Sequence, residues 1–166
     1  MAEHWVLNAS PIISLARVDR ADLLLKVPNE CVIPQAVLSE IMAGPDSDPA
    51  RSFIDNHPIK IVDMPAPSVE ILAWDLGSGE TAVLSFALAN QSYIAILDDF
   101  AARKCANSFS IPVKGTLAVV LIAKQKNLIP SAAEVLRSLK SAGFHLDDRV
   151  IRKALNEIVG ESWTDG

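Results

Sequence analysis

The stretch "YIAILDDFAARKCAN", residues 93–107, decides the fold class. Its apolar run at residues 94–97 predicts a buried strand, and the residues after it predict a helix. Two adjacent carboxylates, Asp98 and Asp99, stand at the junction. Aspartate is a favoured helix N-cap, so the pair can simply begin a helix. In open α/β sheets, however, reactive groups gather just beyond the carboxyl ends of the strands, so both interpretations stay open here.

Short apolar strands and helices alternate through the rest of the chain. Residues 4–7 and 31–33 predict strands, as does the segment "IKIVD". Ser10 and Ser78 are expected to cap helices, Pro34 is expected to open one, and "SAAE" in the tail is a capping-box pattern. This alternation predicts an α/β fold in which helices cover both faces of a mostly parallel sheet.

The composition is that of a globular protein. The chain has 166 residues, half of them apolar and 21% charged, and we expect a single domain over residues 1–166. No apolar run reaches the length of a membrane span, and the N-terminus lacks a basic region followed by an apolar stretch. We therefore expect a cytoplasmic protein without a membrane anchor. The formal net charge is −5 without a long basic run, so any nucleic-acid contact has to come from a local patch.

Neither cysteine nor histidine chemistry is indicated. Cys31 and Cys105 stand singly in apolar surroundings, without a CxxC or Cys/His spacing, so we expect buried thiols rather than a zinc site or a disulfide framework. His4, His57 and His145 share no spacing and no matching acid, so a histidine base or metal ligand is not expected.

Polar residues recur where strands end and helices begin. Asn8 and Ser10 follow the first predicted strand. Glu80 opens the helix of "GETAVLSFALAN", where the helix dipole by itself accounts for an acid. Glu40 lies late in its helix, where a negative charge opposes the dipole, so capping cannot explain it. An ordinary exposed glutamate is the alternative interpretation of Glu40.

These acids predict a site for a divalent cation. In a parallel sheet the carboxyl ends of the strands meet at one edge, so Glu40, Glu80, Asp98 and Asp99 can converge there. Crowded carboxylates repel one another unless a cation compensates their charge. Mg²⁺ and Mn²⁺ prefer oxygen ligands, and in such a site they polarise a phosphoryl oxygen and activate a water. Hydrolysis of a phosphodiester is the chemistry that this cluster fits best.

The motifs of the chain follow one another in a recognisable order. They are "LNASPIISL", "VIPQAVLSEI", "LGSGETAVLSFA", "ILDDFAARKCA" and "VKGTLAVVLIAKQKNLI", with "GFHLDD" after them. In order and spacing the motifs resemble those of PIN-like nuclease domains. The resemblance is closest to an uncharacterised prokaryotic subgroup related to VapC-type toxins, and it extends over nearly the whole chain, residues 6–161.

The resemblance implies a three-layer α/β/α sandwich with a mostly parallel central sheet and a Mg²⁺- or Mn²⁺-dependent endoribonuclease site. Glu40, Glu80 and Asp98, with Asp99 beside it, match the metal-binding and catalytic acids of the family. Thr116 resembles a hydroxyl residue that assists the acids in related proteins.

Asn8 departs from the wider family, in which an aspartate stands at this place. Asparagine keeps an oxygen ligand but removes one negative charge from a site whose affinity for a hard cation depends on charge. Asp99 is placed to compensate. The alternative function is therefore a non-catalytic PIN-like module that binds protein or RNA through a weakened metal site. A phosphotransfer domain ranks last, because it requires an acid pair after the first strand.

Basic and hydroxyl residues near the acids are candidates for substrate binding: Ser10, Arg103, Lys104 and Thr116. Arg103 and Lys104 can hold the phosphates of an RNA substrate, or they can form intrahelical pairs with Asp99. The resemblance also implies a homodimer and a small antitoxin protein as partners. The leading hypothesis is the ribonuclease toxin of a toxin–antitoxin pair.

Overall fold

A central sheet of five parallel strands organises the chain in the computed structural model, which describes residues 3–63 and 66–164. In the order β3-β2-β1-β4-β5, every neighbouring pair is parallel. The strands are β1 (His4–Leu7), β2 (Glu30–Pro34), β3 (Lys60–Val62), β4 (Tyr93–Ile96) and β5 (Val113–Lys114).

Helices flank this sheet, as the predicted α/β/α sandwich requires, and the fold class is confirmed. The helices are α1 (Ala9–Arg17), α2 (Leu23–Lys26), α3 (Gln35–Met42), α4 (Pro49–Asn56), α5 (Val69–Leu72), α6 (Ser78–Ala89), α7 (Phe100–Ser108), α8 (Thr116–Gln125), α9 (Ala132–Ser141) and α10 (Asp148–Ala154). A π-helical turn, Leu155–Val159, continues α10.

Strand β1 is the centre of the sheet because both of its edges are paired. His4 is in register with Glu30 of β2 on one side and with Tyr93 of β4 on the other. Trp5, Val6 and Leu7 are fully buried. The chain reverses its direction across the sheet at this strand, so β1 and β4 are neighbours although they are far apart in sequence. Such a reversal opens a crevice at the carboxyl edge of the sheet.

Two helices begin earlier than the sequence predicts. The N-cap of α1 is Asn8 rather than Ser10, because the Asn8 N–H continues the sheet by donating to Ile96 O over 3.0 Å and the helix begins at once. The Ser10 hydroxyl is thereby free to contact Asp98. The N-cap of α6 is Gly77 rather than Ser78.

The tail is held by a side chain from beyond α10. Ser131 caps α9 by accepting from Glu134 N, as the capping-box pattern predicts. Glu161 adds a second carboxylate cap, because it accepts from the backbone N–H of Ala132 and of Ala133 and from the Ser131 hydroxyl. Three of the polar groups at the start of α9 therefore depend on Glu161.

Both cysteines are free thiols. Cys105 is buried and Cys31 is half-buried. Burial, and after it the negative charge of Glu30, raises the pKa of Cys31 to about 11. Neither thiol is therefore poised for redox or metal chemistry at neutral pH. In the described part of the chain, we find no helix with the length and apolarity that crossing a membrane requires.

Candidate active site

An open cleft of about 510 Å³ lies at the carboxyl edge of β1 and β4. It brings together five residues that the sequence predicts for the site: Asn8, Ser10, Glu80, Asp98 and Asp99. They come from the ends of two adjacent strands and from the starts of α1, α6 and α7. The parallel sheet therefore gathers polar side chains that are separated by up to about ninety residues of sequence.

Asp98 is the most firmly held acid of the cleft. Its Oδ1 accepts from Thr116 N and its Oδ2 accepts from the Thr116 hydroxyl, each over 2.7 Å. Ser10 donates to the same Oδ2 over 3.3 Å. Thr116 is fully buried at the first position of α8, so one end of the contact is rigid. The donors fix the Asp98 carboxylate in one orientation, which suits a group that must hold a ligand.

Asp99 has a different role from its neighbour. It is the N-cap of α7, and its Oδ2 accepts from Ala102 N over 3.0 Å. The two interpretations of the aspartate pair are therefore divided between the two residues. Asp99 begins the helix, although it also lines the cleft, and Asp98 points its carboxylate to the neighbouring β5–α8 junction.

Glu40 caps a helix, but not the helix that contains it. Its Oε1 accepts from Gly79 N in the first turn of α6 over 2.9 Å, and the Ser78 hydroxyl lies 3.5 Å from the same oxygen. The prediction that capping cannot explain Glu40 is wrong, because the dipole that it complements belongs to α6. Glu40 does not line the cleft itself.

Asn8 carries an oxygen without a partner. The side chain is 2% exposed, and within residues 3–63 and 66–164 its Oδ1 is the one buried side-chain oxygen or nitrogen that lacks a hydrogen bond. A Cβ added to Gly79 would lie 2.5 Å from Glu40 Oε1 and 3.2 Å from Asn8 Oδ1. Both acceptors therefore crowd the same point, and only the absence of a side chain at Gly79 leaves room for them.

The residue types of the site fit a hard divalent cation. Its donor atoms are carboxylate, amide and hydroxyl oxygens, which Mg²⁺ and Mn²⁺ prefer, and a cation would satisfy the unpartnered Asn8 Oδ1. In the described ranges, no three His, Cys, Asp or Glu side chains are grouped so that they could hold a metal ion. The acids are spread over separate places instead. Glu40 lies with Asn8 at Gly79, and Asp98 lies with Thr116 at Gly115. Glu80 lies at Gly77.

Arg103 lies beside Asp98. A Cβ added to Gly115 would be 2.6 Å from Arg103 Nη1 and 2.9 Å from Asp98 Oδ1, so glycine is needed for this approach. Arg103 forms no salt bridge within the described residues. The pairing of Arg103 and Lys104 with Asp99 that the sequence allows is not formed there either. Arg103 is half-buried and lines an apolar groove next to the cleft, whereas Lys104 is exposed and lines neither.

Three further polar residues line the cleft without having been predicted: Ser14, Arg17 and His145. Ser14 and Arg17 face it because they follow Ser10 at helical spacing on α1, a signal that the sequence carries. His145 belongs to the segment after α9, and no periodicity in the sequence marks its position. Arg17 adds a positive charge to an acidic cleft, as an anionic substrate would require.

Comparison with known proteins assigns the chain to a family. A family model described as a PIN domain, DUF3368, matches residues 4–160, and the chain therefore belongs to the PIN domain family. No curated protein matches the sequence. Among solved structures, the chain is similar to a PilT N-terminus domain protein from the hyperthermophilic archaeon Sulfolobus solfataricus P2. The TM-score is 0.48 and the identity 16%, over 87% of this chain and 97% of that one.

Membership of the family indicates a nuclease-type fold. PIN domains are generally divalent-metal-dependent nucleases that act on nucleic acids. The predicted family is thereby confirmed. The predicted site residues, the metal ion and the toxin subgroup stay predictions, and we take them up below.

Proposed function

We propose that the protein is a metal-dependent endoribonuclease that hydrolyses RNA phosphodiester bonds. The observation that carries the proposal is the acid-lined cleft at the carboxyl edge of β1 and β4, in a chain of the PIN domain family. Its open shape and its mixture of carboxylates with Arg17 suit a charged, extended substrate.

Asn8, Glu40, Glu80, Asp98 and Asp99 are the proposed catalytic residues, and the four acids among them would hold Mg²⁺ or Mn²⁺. When bound, such an ion supplies Lewis acidity and an activated water. Glu80 and Asp98 offer carboxylates to the cleft itself. Asn8 offers an amide oxygen that has no other partner in the described ranges. In this proposal Glu40 gives up the hydrogen bond that it accepts from Gly79 N and holds the metal ion instead.

The chain's own donors position the substrate. Arg103 lies next to Asp98 without a salt bridge to a described carboxylate, so its guanidinium is available for a phosphate oxygen. Thr116 and Ser10 hold Asp98 in place through its carboxylate oxygens, and Lys104 adds positive charge on the exposed side of α7. Their joint effect is to orient a phosphodiester over the fixed carboxylate.

The biological role that we propose is that of the toxin of a toxin–antitoxin pair, acting in the cytoplasm as a homodimer. The resemblance of the motifs to VapC-type toxins supports this role. The apolar groove beside the cleft, which Leu117, Leu121, Val150 and Ile158 help to line, offers a surface for a small antitoxin.

Cleavage of single-stranded RNA by the purified protein tests the proposal. We expect cleavage with Mg²⁺ or Mn²⁺, none with EDTA, and at least a hundred-fold loss in Glu80→Gln and in Asp98→Asn. Asp55→Asn, an exposed acid of α4, is the matched control and should leave cleavage unchanged. If the protein binds RNA but shows no cleavage that Glu80→Gln abolishes, the result favours the non-catalytic module instead.

A further inference from the structure

A highly exposed phenylalanine follows one of the residues that line the cleft. Phe100 is 76% exposed, more than any other large apolar side chain in residues 3–63 and 66–164. It is the first residue of α7 and follows Asp99, which lines the cleft. Because consecutive Cα atoms are about 3.8 Å apart, the ring is anchored directly beside the acids.

Folding gives no reason for a phenyl ring at this position. Phenylalanine is only a moderate helix former, and the start of α7 is already capped by the side chain of Asp99. Phe100 is not among the residues that pack on the core. Its exposure leaves a large apolar face in water, which burial against a ligand would relieve.

Phe100 shares one face of α7 with both basic residues of that helix. Arg103 and Lys104 follow it by three and four residues, which places all three side chains on the same side. The Lys104 ammonium lies 5.6 Å from the centroid of the Phe100 ring, within the range of a cation–π contact. Arg103 extends this face to Asp98. An aromatic ring and two cations therefore share one side of α7, and one of the cations, Arg103, lies near an acid of the cleft.

These groups suit a single nucleic-acid strand, which carries charged phosphates and flat bases. Arg103 and Lys104 suit the phosphates, and the ring suits a base, since bases stack on aromatic side chains whatever their sequence. A duplex does not offer such a base, because its faces are already stacked within the helix. The arrangement therefore selects for an unpaired strand.

We propose that Phe100 is a positioning residue that stacks a base flanking the scissile phosphate of single-stranded RNA, with Lys104 holding the adjoining phosphate. The inference rests on the proposed ribonuclease function, which it deepens by naming a residue that holds the unpaired substrate strand.

Binding of a short fluorescein-labelled single-stranded RNA, measured by anisotropy in the cleavage-deficient Glu80→Gln background, tests the proposal. We expect Phe100→Ala and Phe100→Leu to weaken binding about ten-fold, and Phe100→Trp to keep it, because stacking needs an aromatic face. Val69→Ala is the control, since Val69 is 75% exposed on α5, a helix of which no residue lines the cleft or the groove beside it. The urea midpoints of these variants should equal that of the parent.

An abasic scan separates stacking from a merely apolar contact. We expect an abasic nucleotide at one position of the RNA to weaken binding to the parent protein about ten-fold, and to have no effect on the Phe100→Ala protein. Equal binding by the parent and by Phe100→Ala would overturn the proposal, as would Phe100→Leu binding like the parent. The proposal would also be overturned if Phe100→Ala changed only the oligomeric state, or if the parent protein did not bind RNA.

Failure of the two proposals can be told apart. If the wild-type protein cleaves RNA, and if neither Phe100→Ala nor pairing of the RNA into a duplex changes the cleavage, the stacking proposal alone is overturned. If the abasic scan shows stacking but the protein has no metal-dependent cleavage, the proposed ribonuclease activity alone is overturned.

Discussion

Thr116 binds Asp98 twice, because its backbone N–H and its hydroxyl each donate to one oxygen of the Asp98 carboxylate over 2.7 Å. The start of α8 therefore fixes an acid that stands at the end of β4. Because the hydroxyl belongs to a fully buried side chain, the contact has little freedom to relax. The orientation of Asp98 is thus set by the fold itself and does not depend on a ligand.

Replacing Thr116 with valine tests this contact. Thr116→Val keeps the shape of the side chain but leaves Asp98 Oδ2 without the hydroxyl, so we expect a loss of about 1 to 2 kcal/mol in the free energy of unfolding. Urea denaturation measures it. Thr81→Val, the same change at a buried threonine of α6 that does not contact Asp98, is the control. Equal effects of both substitutions would mean that the Asp98 contact contributes nothing specific.

The aspartate pair separates a stabilising role from a chemical one. Asp99→Ala removes the N-cap of α7 and should cost about 1 kcal/mol of stability, whereas Asp99→Asn keeps a cap and should cost little. Thermal unfolding compares the two variants. In the cleavage assay, Asp98→Asn should remove activity, and Asp99→Asn should retain more of it. The division of roles fails if Asp99→Ala unfolds at the wild-type temperature.

Much of the fold is predictable from the sequence because its elements are short and strongly patterned. The strand His4–Leu7 agrees with the prediction, and the "SAAE" pattern correctly marks the Ser131 cap of α9. The short helices α2 and α5 carry no such signal, since four residues are too few to show a helical period. The predicted Ser10 and Ser78 caps are wrong because α1 and α6 begin earlier, so both hydroxyls lie inside a helix and contact acids that are distant in the chain.

Only the parts of the candidate site that follow from the sheet topology can be predicted from the sequence. A parallel sheet places the residues after β1 and β4 at one edge, which is why Asn8, Ser10 and Asp98 lie together. The bond of Glu40 to Gly79 N depends on how α3 packs against α6, which no local pattern encodes. The same holds for His145, whose place in the cleft follows from the path of the chain after α9.

Restoring an acid at Asn8 should strengthen cation binding. Asn8→Asp adds a negative charge next to the Glu40 carboxylate, so we expect about a ten-fold lower Kd for Mn²⁺ and a less stable metal-free protein. Isothermal titration gives the Kd, and unfolding in EDTA gives the stability. Asn56→Asp, at the exposed end of α4, adds the same charge elsewhere and should leave the Kd for Mn²⁺ unchanged. Unchanged Mn²⁺ affinity in Asn8→Asp would remove Asn8 from the site.

A methyl group at Gly79 should displace Glu40. The added Cβ would lie 2.5 Å from Glu40 Oε1, so Gly79→Ala should break the bond to the α6 N-terminus and cost about 1 to 3 kcal/mol of stability. A double-mutant cycle with Glu40→Ala measures the coupling by urea denaturation. We expect Gly79→Ala to cost less once Glu40 is absent. Simple additivity of the two changes would show that the side chain and the glycine act independently.

Acid should weaken the cap that Glu161 gives to α9. Burial raises the pKa of Glu161, but hydrogen bonds from Ala133 N, Ala132 N and the Ser131 hydroxyl outweigh it, so the net pKa lies below its ordinary value of 4.5. A lowered pKa means that the charged form stabilises the fold above pH 4.5, and that this contribution disappears as the pH falls below that value.

Glu161→Gln measures this contribution. We expect it to cost about 1 kcal/mol at pH 7, and the difference from the wild type to shrink toward pH 3. Thermal unfolding across this pH range follows the difference, and Glu134→Gln, an exposed acid on α9, is the control. A difference that does not vary with pH would contradict an ionised cap.

The central position of β1 affects how the protein is made. Synthesis delivers Asn8 first, the carboxylates that follow β4 much later, and the cleft wall formed by Leu139 to His145 last of the three. A chain still emerging from the ribosome therefore lacks most of the cleft, however well its first strands have paired. Only a chain whose synthesis has passed His145 can present the whole cleft to a substrate.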